Sequence, residues 1–129
     1  MESAQQEIFT LCRQAAISIL GEGHVYDDLP DARAQYPFFY IGENFDSSVP
    51  IKSVRTGRCV QRIHIYHNDT RKRGTTSGLL QNLLVRLYGA RKTKNFQVFL
   101  FRHNAQMTTD KTTATVLLHG VLELEWRYY

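Results

Sequence analysis

Apolar residues recur at helical spacing in two parts of this chain, alternate with period two in three others, and crowd together in one more. In the first helical part, Ser3 with Gln6 three residues on has the form of a capping box, and Ile8, Leu11, Cys12, Ala15 and Ile19 follow on one face until Gly21 offers a stop. In the second, Thr75 or Thr76 is the expected cap of a helix that carries Leu80, Leu83, Leu84, Leu87 and Tyr88 on one face and is closed by Gly89. The first strand pattern is Y-P-F-F-Y-I-G-E from Tyr36 to Glu43, with Phe38, Tyr40 and Gly42 set against Phe39, Ile41 and Glu43. The second ends in R-I-H-I-Y-H at His67 and sets Ile63 and Ile65 against Arg62, His64 and Tyr66, the alternation of a sheet with one wet side. F-Q-V-F-L-F, from Phe96 to Phe101, is dense enough in aromatic and branched residues to predict a buried strand. From Thr112 to Tyr129 the alternation returns, with Leu118, Gly120, Leu122, Leu124, Trp126 and Tyr128 against His119, Val121, Glu123, Glu125 and Arg127, and Gly120 predicts a bulge or bend.

Between these elements the chain is polar. Asn44 to Arg58 is too long for a tight turn and predicts a projecting hairpin loop, and a second loop, His103 to Lys111, is expected to join the last two strands. Gly21 to Gln35 reads as a connector in which Val25 and Tyr26 have the character of a short strand. The order helix, strand, strand, helix, strand, strand predicts an α+β fold: a mainly antiparallel sheet of four to five strands, two helices packed on one face, and two long hairpin loops. With 129 residues and ordinary apolar and charged fractions, a single domain spanning 1–129 can bury one core without metal or disulfide support.

The formal charge of +4 matters mainly through its distribution. Basic residues bunch as Lys52, Arg55 and Arg58, as Arg71 to Arg73, and as Arg91, Lys92 and Lys94. Each bunch reads first as a solvated loop end and second as a face for nucleic acid or an acidic protein surface. Cys12 and Cys59 have neither C-x-x-C spacing nor a ligand pattern, so two buried, reduced thiols are expected. The N-terminal M-E-S-A-Q-Q-E lacks the basic and apolar regions of a signal peptide, and no apolar run is long enough for a bilayer, so neither classical export nor a membrane is expected.

Candidate chemistry is sparse. His64 and His67 lie three apart on a strand and point to opposite faces, so they do not share a metal, and the histidines read as surface or hydrogen-bonded structural residues. R-G-T-T-S-G, beginning at Arg73, lacks the spacing and the lysine of a phosphate-binding loop. Glu123 and Glu125 project from one strand face roughly 6–7 Å apart; beside Arg127 they read as cross-strand ion-pair partners rather than an acid/base pair. Neither an enzyme nor a cofactor nor a metal is expected.

Four ordered motifs then carry a resemblance that covers most of the chain. H-V-Y-D-D-L-P begins at His24, Y-P-F-F-Y-I-G-E at Tyr36, I-H-I-Y-H at Ile63 ahead of a basic turn and the leucine helix, and H-G-V-L-E-L-E-W-R at His119. Together they resemble the tail-completion, or tail-terminator, proteins of long-tailed siphovirus-type bacteriophages. The resemblance implies a structural protein of the virion, assembled in the host cytoplasm, that forms a homo-oligomeric and usually hexameric ring at the head-proximal end of the tail tube. There it would stop tube polymerisation and present a surface for joining the head connector. On this reading the loops Phe45–Gly57 and Asn104–Lys111 make the contacts between subunits or with tube and connector. Lys52, Arg55, Arg58, Gln106, Met107 and Lys111 are the candidate partner-binding residues, and Arg55 and Arg58 alternatively line the channel through which DNA passes. The main rival is a small basic nucleic-acid-binding module using the basic turns and the Tyr66 face, marked by affinity that falls steeply with salt. A small enzyme is a second rival, marked by a pocket around His64, Glu123 and Glu125.

Overall fold

Seven elements form where the sequence periods change, and strand pairing sets their order in space. A computed structural model describes residues 2–31, 33–47 and 57–129. Helix α1 spans Ala4–Leu20; a single 3-10 turn, Glu22–His24, leads into β1, Val25–Tyr26; β2 is Phe38–Asp46 and β3 is Gly57–His67. Helix α2 spans Arg73–Gly89, followed by β4, Val98–Asp110, and β5, Leu117–Tyr128. The sheet order is β1-β2-β3-β5-β4, antiparallel throughout except for the short β1 beside β2. The α+β architecture predicted from the sequence is therefore the one observed.

Both helices cover one face of the sheet. Ile8, Cys12 and Ala16 of α1 and Leu80, Leu83, Leu84 and Leu87 of α2 meet Phe39, Ile41, Ile63, Ile65, Leu122, Leu124 and Trp126 in one core. Each such large apolar side chain contributes roughly 1.5–3 kcal/mol on burial. Ser3 caps α1 as expected, accepting a hydrogen bond from the Gln6 amide, and Gly21 closes the helix with its own amide on the Ile17 carbonyl. Glu7, buried under the turn before β4, accepts from the Thr93 hydroxyl and from both amides of Asn95, which pins that turn to α1.

Helix α2 starts earlier than its threonines suggest. Its N-cap is Lys72, with no side-chain cap, and Thr76 is buried one turn in, its hydroxyl donating to the Lys72 carbonyl.

Four further expectations are corrected by the pairing. The predicted loop Asn104–Lys111 is for the most part the second half of β4, which pairs with β5 without interruption from Arg102 opposite Glu125 to Asp110 opposite Leu117. Only residues 111–116 form the connection. N-A-Q-M-T-T-D shows no apolar alternation because β4 is an edge strand running beyond most of the helix layer, so both of its faces are largely wet. For the same reason Phe96–Phe101 is not a buried strand: Val98 and Leu100 are buried, but Phe99 and Phe101 are 36% and 50% exposed. The first hairpin is longer in strand and shorter in loop than Asn44–Arg58, since β2 runs to Asp46 and β3 begins at Gly57. Gly120 marks no bulge; the register of β5 is continuous on both sides of it. A bulge does occur in β2 between Ile41 and Asn44, and it turns Glu43 to the face of Tyr40 instead of that of Phe39.

Cys12 and Cys59 are free and buried. Burial pushes the Cys12 thiol far up and, with the Asp46 carboxylate adding to it, the Cys59 thiol up to about 12. Reactivity follows the thiolate, so neither cysteine is expected to react with a thiol reagent at neutral pH in the folded protein, and both are expected to react in denaturant. Rapid labelling of the native chain, read by intact mass, would contradict this packing.

Candidate functional site

The face of the sheet turned away from the helices carries most of the chain's arranged polar chemistry. Pairing of β2, β3 and β5 lays three zones along it. At one end Phe38, Tyr66 and His119 lie side by side across the strands, and His64 and Tyr40 sit in the next row. Their rings stack in a continuous series: Phe38 on Tyr66 at 5.2 Å, Tyr66 on His119 at 4.2 Å, His119 on His64 at 5.1 Å and His64 on Tyr40 at 5.3 Å. Gly42 makes room for this row, because a side chain there would approach the His64 ring to 3.1 Å.

The middle zone is a hydrogen-bonded chain. His64 Nε2 lies 2.9 Å from Glu43 Oε1, and His64 Nδ1 lies 2.8 Å from His119 Nε2. When His64 donates from Nε2 to the Glu43 carboxylate, its Nδ1 accepts from His119 Nε2. Glu43 Oε2 takes Arg62 at 3.3 Å, and Arg62 reaches Glu123 at 2.9 Å. Burial works against the Glu43 carboxylate, but hydrogen bonds from its own backbone amide, from His64 and from Arg62 outweigh it and hold its pKa below the usual carboxylate range. Beneath the bulge, the buried Gln61 amide donates to the carbonyls of Gly42, Glu43 and Arg62 and accepts from Asn44 at 2.6 Å. Gln61 thereby satisfies the carbonyls that the bulge takes out of the ladder.

His119 is held below its ordinary pKa, first by burial and then by the neighbouring His64, with Asp110 and Glu43 pulling the other way. A depressed histidine pKa means that the unfolded chain binds the extra proton first. Stability is then fully present above the unfolded value of about 6.5 and is lost as pH falls through it toward the lower native value. Melting temperature is expected to fall as pH drops from about 7 through about 6.5, and His119→Gln is expected to flatten that slope. An unchanged slope in the variant would assign the titration elsewhere.

The third zone gathers arginines around one acid. Glu125, buried although it projects from the wet side of β5, takes Arg127 Nη2 at 2.9 Å and Arg102 Nε at 3.1 Å, with Arg58 Nε at 3.9 Å. Burial raises the Glu125 pKa, and Arg127 and Arg102 more than compensate, so the carboxylate stays ionised. Phe45, Arg58, Val60 and Arg102 border a shallow depression of about 350 Å³ here, and a second of about 410 Å³ lies between Arg62, His64 and Gln106. Glu123 and Glu125 are thus ion-paired strand residues, as the sequence suggested. Among the described residues no hydroxyl or thiol hydrogen-bonds to the ring of His64 or His119, the Thr108 hydroxyl reaching only the His119 carbonyl, and no cluster of three or more His, Cys, Asp or Glu is placed to hold a metal.

The fold, rather than the site, has a counterpart among solved structures. No protein-family model and no curated protein matches the chain. A chain from the virion of native gene transfer agent (GTA) particle superposes with a TM-score of 0.65 at 14% identity, over 98% of this chain and 92% of that one. The two share a fold. The likeness takes in nearly the whole of both chains, which are therefore of similar length.

The candidate partner-binding residues separate on this framework. Lys52 and Arg55 lie outside the described residues. Arg58 stands in the arginine zone, and Gln106 on β4 borders the depression beside Glu43 and His64. Met107, its neighbour in sequence, points to the opposite face and packs half-buried against the core, near Gly120. Lys111 follows the end of β4. Arg58 and Gln106 therefore share a face, whereas Met107 does not. Missed altogether were the Glu43–His64–His119 chain and the contribution of Arg102. The alternation marked both histidines as wet, but their meeting depends on a register that no local pattern encodes.

Proposed function

We propose that this chain is a structural component of a phage-like virion, a tail terminator. It forms a homo-oligomeric ring, hexameric in the family it resembles, at the head-proximal end of the tail tube, stops tube polymerisation there and offers the surface on which the head connector is joined. The observation that carries this reading is the fold likeness, over nearly the whole of both chains, to a chain of a gene transfer agent virion. The motifs from Tyr36 to Glu43 and from His119 to Arg127 point the same way. The open face adds support: it is charged and shallow, suited to protein contact.

Stacking on nucleic acid is less well served. The rings of Tyr66, His119 and His64 are stacked on one another rather than presented to bases, and Arg62 is already bound by two carboxylates. The test is light scattering across a concentration series, alone and with tail tubes, followed by negative-stain microscopy. Rings, or caps on one end of each tube that halt elongation, are the expected result. A protein that neither caps tubes nor alters their length, and that binds DNA with a steep salt dependence, would overturn the reading.

A further inference from the structure

We propose that the start of the β4 edge docks the acidic loop following β1 of a second copy of this chain, so that two different surfaces of neighbouring copies meet head to tail. The proposal rests on the ring reading above and names its interface.

One side of the contact is aromatic and basic. β4 is the terminal strand of the sheet, and a long exposed edge invites pairing unless something covers it. At its start Phe99 and Phe101 are exposed, and the register slips at Phe101, between Leu100 and Arg102. The Arg127 guanidinium lies 4.4 Å from the centre of the Phe101 ring, and Arg102 lies 5.8 Å from it. Those two arginines share the single carboxylate of Glu125, so the patch keeps an excess of positive charge. Aromatic rings with arginine are the side chains on which interfaces most depend.

The other side is acidic with one apolar projection. The loop D-D-L-P-D after β1 carries Leu29 at 62% exposure. Arg13 holds Asp27 and Arg33 holds Asp31, but Asp28 has no ion pair among the described residues, so carboxylates outnumber guanidiniums. Leu29, Pro30 and Asp31 of the loop border a cleft with Phe38, Tyr66 and Leu117, whereas Phe99 and Phe101 lie at the other end of the sheet, where β4 begins. A contact between two different surfaces is heterologous, and such contacts close into a ring when the rotation between copies permits. Leu29 supplies the apolar knob for the phenylalanine patch and Asp28 the counter-charge for Arg102 and Arg127.

The experiment uses two variants at exposed positions, Phe101→Asp and Asp28→Arg, each checked for an unchanged melting temperature. Either alone is expected to weaken self-association, in solution and at tube ends, by roughly 10- to 100-fold, because each places like charges across the contact. Mixed together, the two are expected to recover assemblies in which they alternate, since every contact then pairs opposite charges. Wild-type rings with neither variant impaired, or impaired variants that mixing does not rescue, would overturn this interface and leave the terminator reading standing. A wild type that stays monomeric both alone and on tubes would overturn both.

Discussion

Replacing Trp126 with alanine is expected to cost about 3–5 kcal/mol of folding stability, the larger of the two strongest effects this structure predicts. Trp126 is fully buried on the core side of β5, flanked by Cys59 of β3 and Leu100 of β4, and its indole N–H has no hydrogen-bond partner among the described residues. It is thus the side chain at which two inner strands and one edge strand converge. Alanine removes its apolar surface and leaves a cavity that backbone pairing on both sides keeps from collapsing. A domain of this size has a total stability on the order of 5–15 kcal/mol, so the loss is a large share of it. Urea unfolding should show a lower midpoint with an unchanged slope, and the melting temperature should drop by on the order of 10–20 °C. Trp126→Phe, which keeps most of the volume, should lose clearly less. Equal losses for phenylalanine and alanine would show that packing volume is not what Trp126 provides.

Gly120→Val is the second. A Cβ built at Gly120 would lie 2.8 Å from Cγ2 of Ile65 and 2.9 Å from Cδ1 of Leu80, and side chains do not tolerate such distances. Gly120 is where α2 rests on the sheet: Ile65 is its partner across the β3–β5 ladder, and Leu80 comes down from the helix. A strand glycine on an open surface would be improved by valine, whose β propensity is higher. Here overpacking is expected to reverse that sign and cost about 1–3 kcal/mol or more. The diagnostic is a double-mutant cycle of Gly120→Ala with Leu80→Ala, since shortening Leu80 vacates part of the space that a new methyl needs. The two costs should fall short of additivity by roughly 0.5–3 kcal/mol. Strict additivity would show that the close approach is not why glycine stands there.

Both residues show how far the sequence could be read. The alternation of β5 placed Trp126 and Gly120 on the dry face, yet it offered only a bulge to explain the glycine. The reason lies in α2, some forty residues earlier in the chain, and no local pattern connects the two. The second half of β4 was harder still. Its residues are polar on both sides because little covers them, and an edge strand held by backbone bonds to β5 has the composition of a loop. The candidate site divides in the same way. Arg58 and Gln106 were named from charge and polarity and do share the open face, but Met107 was named with them and turns away, because a strand sends neighbouring residues to opposite sides.

By itself, then, the sequence determined the kinds of element, their order and which side of β3 and β5 faces water, because those follow from the periods of the helix and the strand over a few residues. Register was decided only in the tertiary structure. The pairing of Tyr66 with His119 sets two histidines 55 residues apart within hydrogen-bonding distance, and the bulge in β2 turns Glu43 to meet them. Shifting either strand by one residue would exchange its buried and exposed sides, so long-range packing of the whole core, which no short stretch contains, selects the one alignment that forms the site.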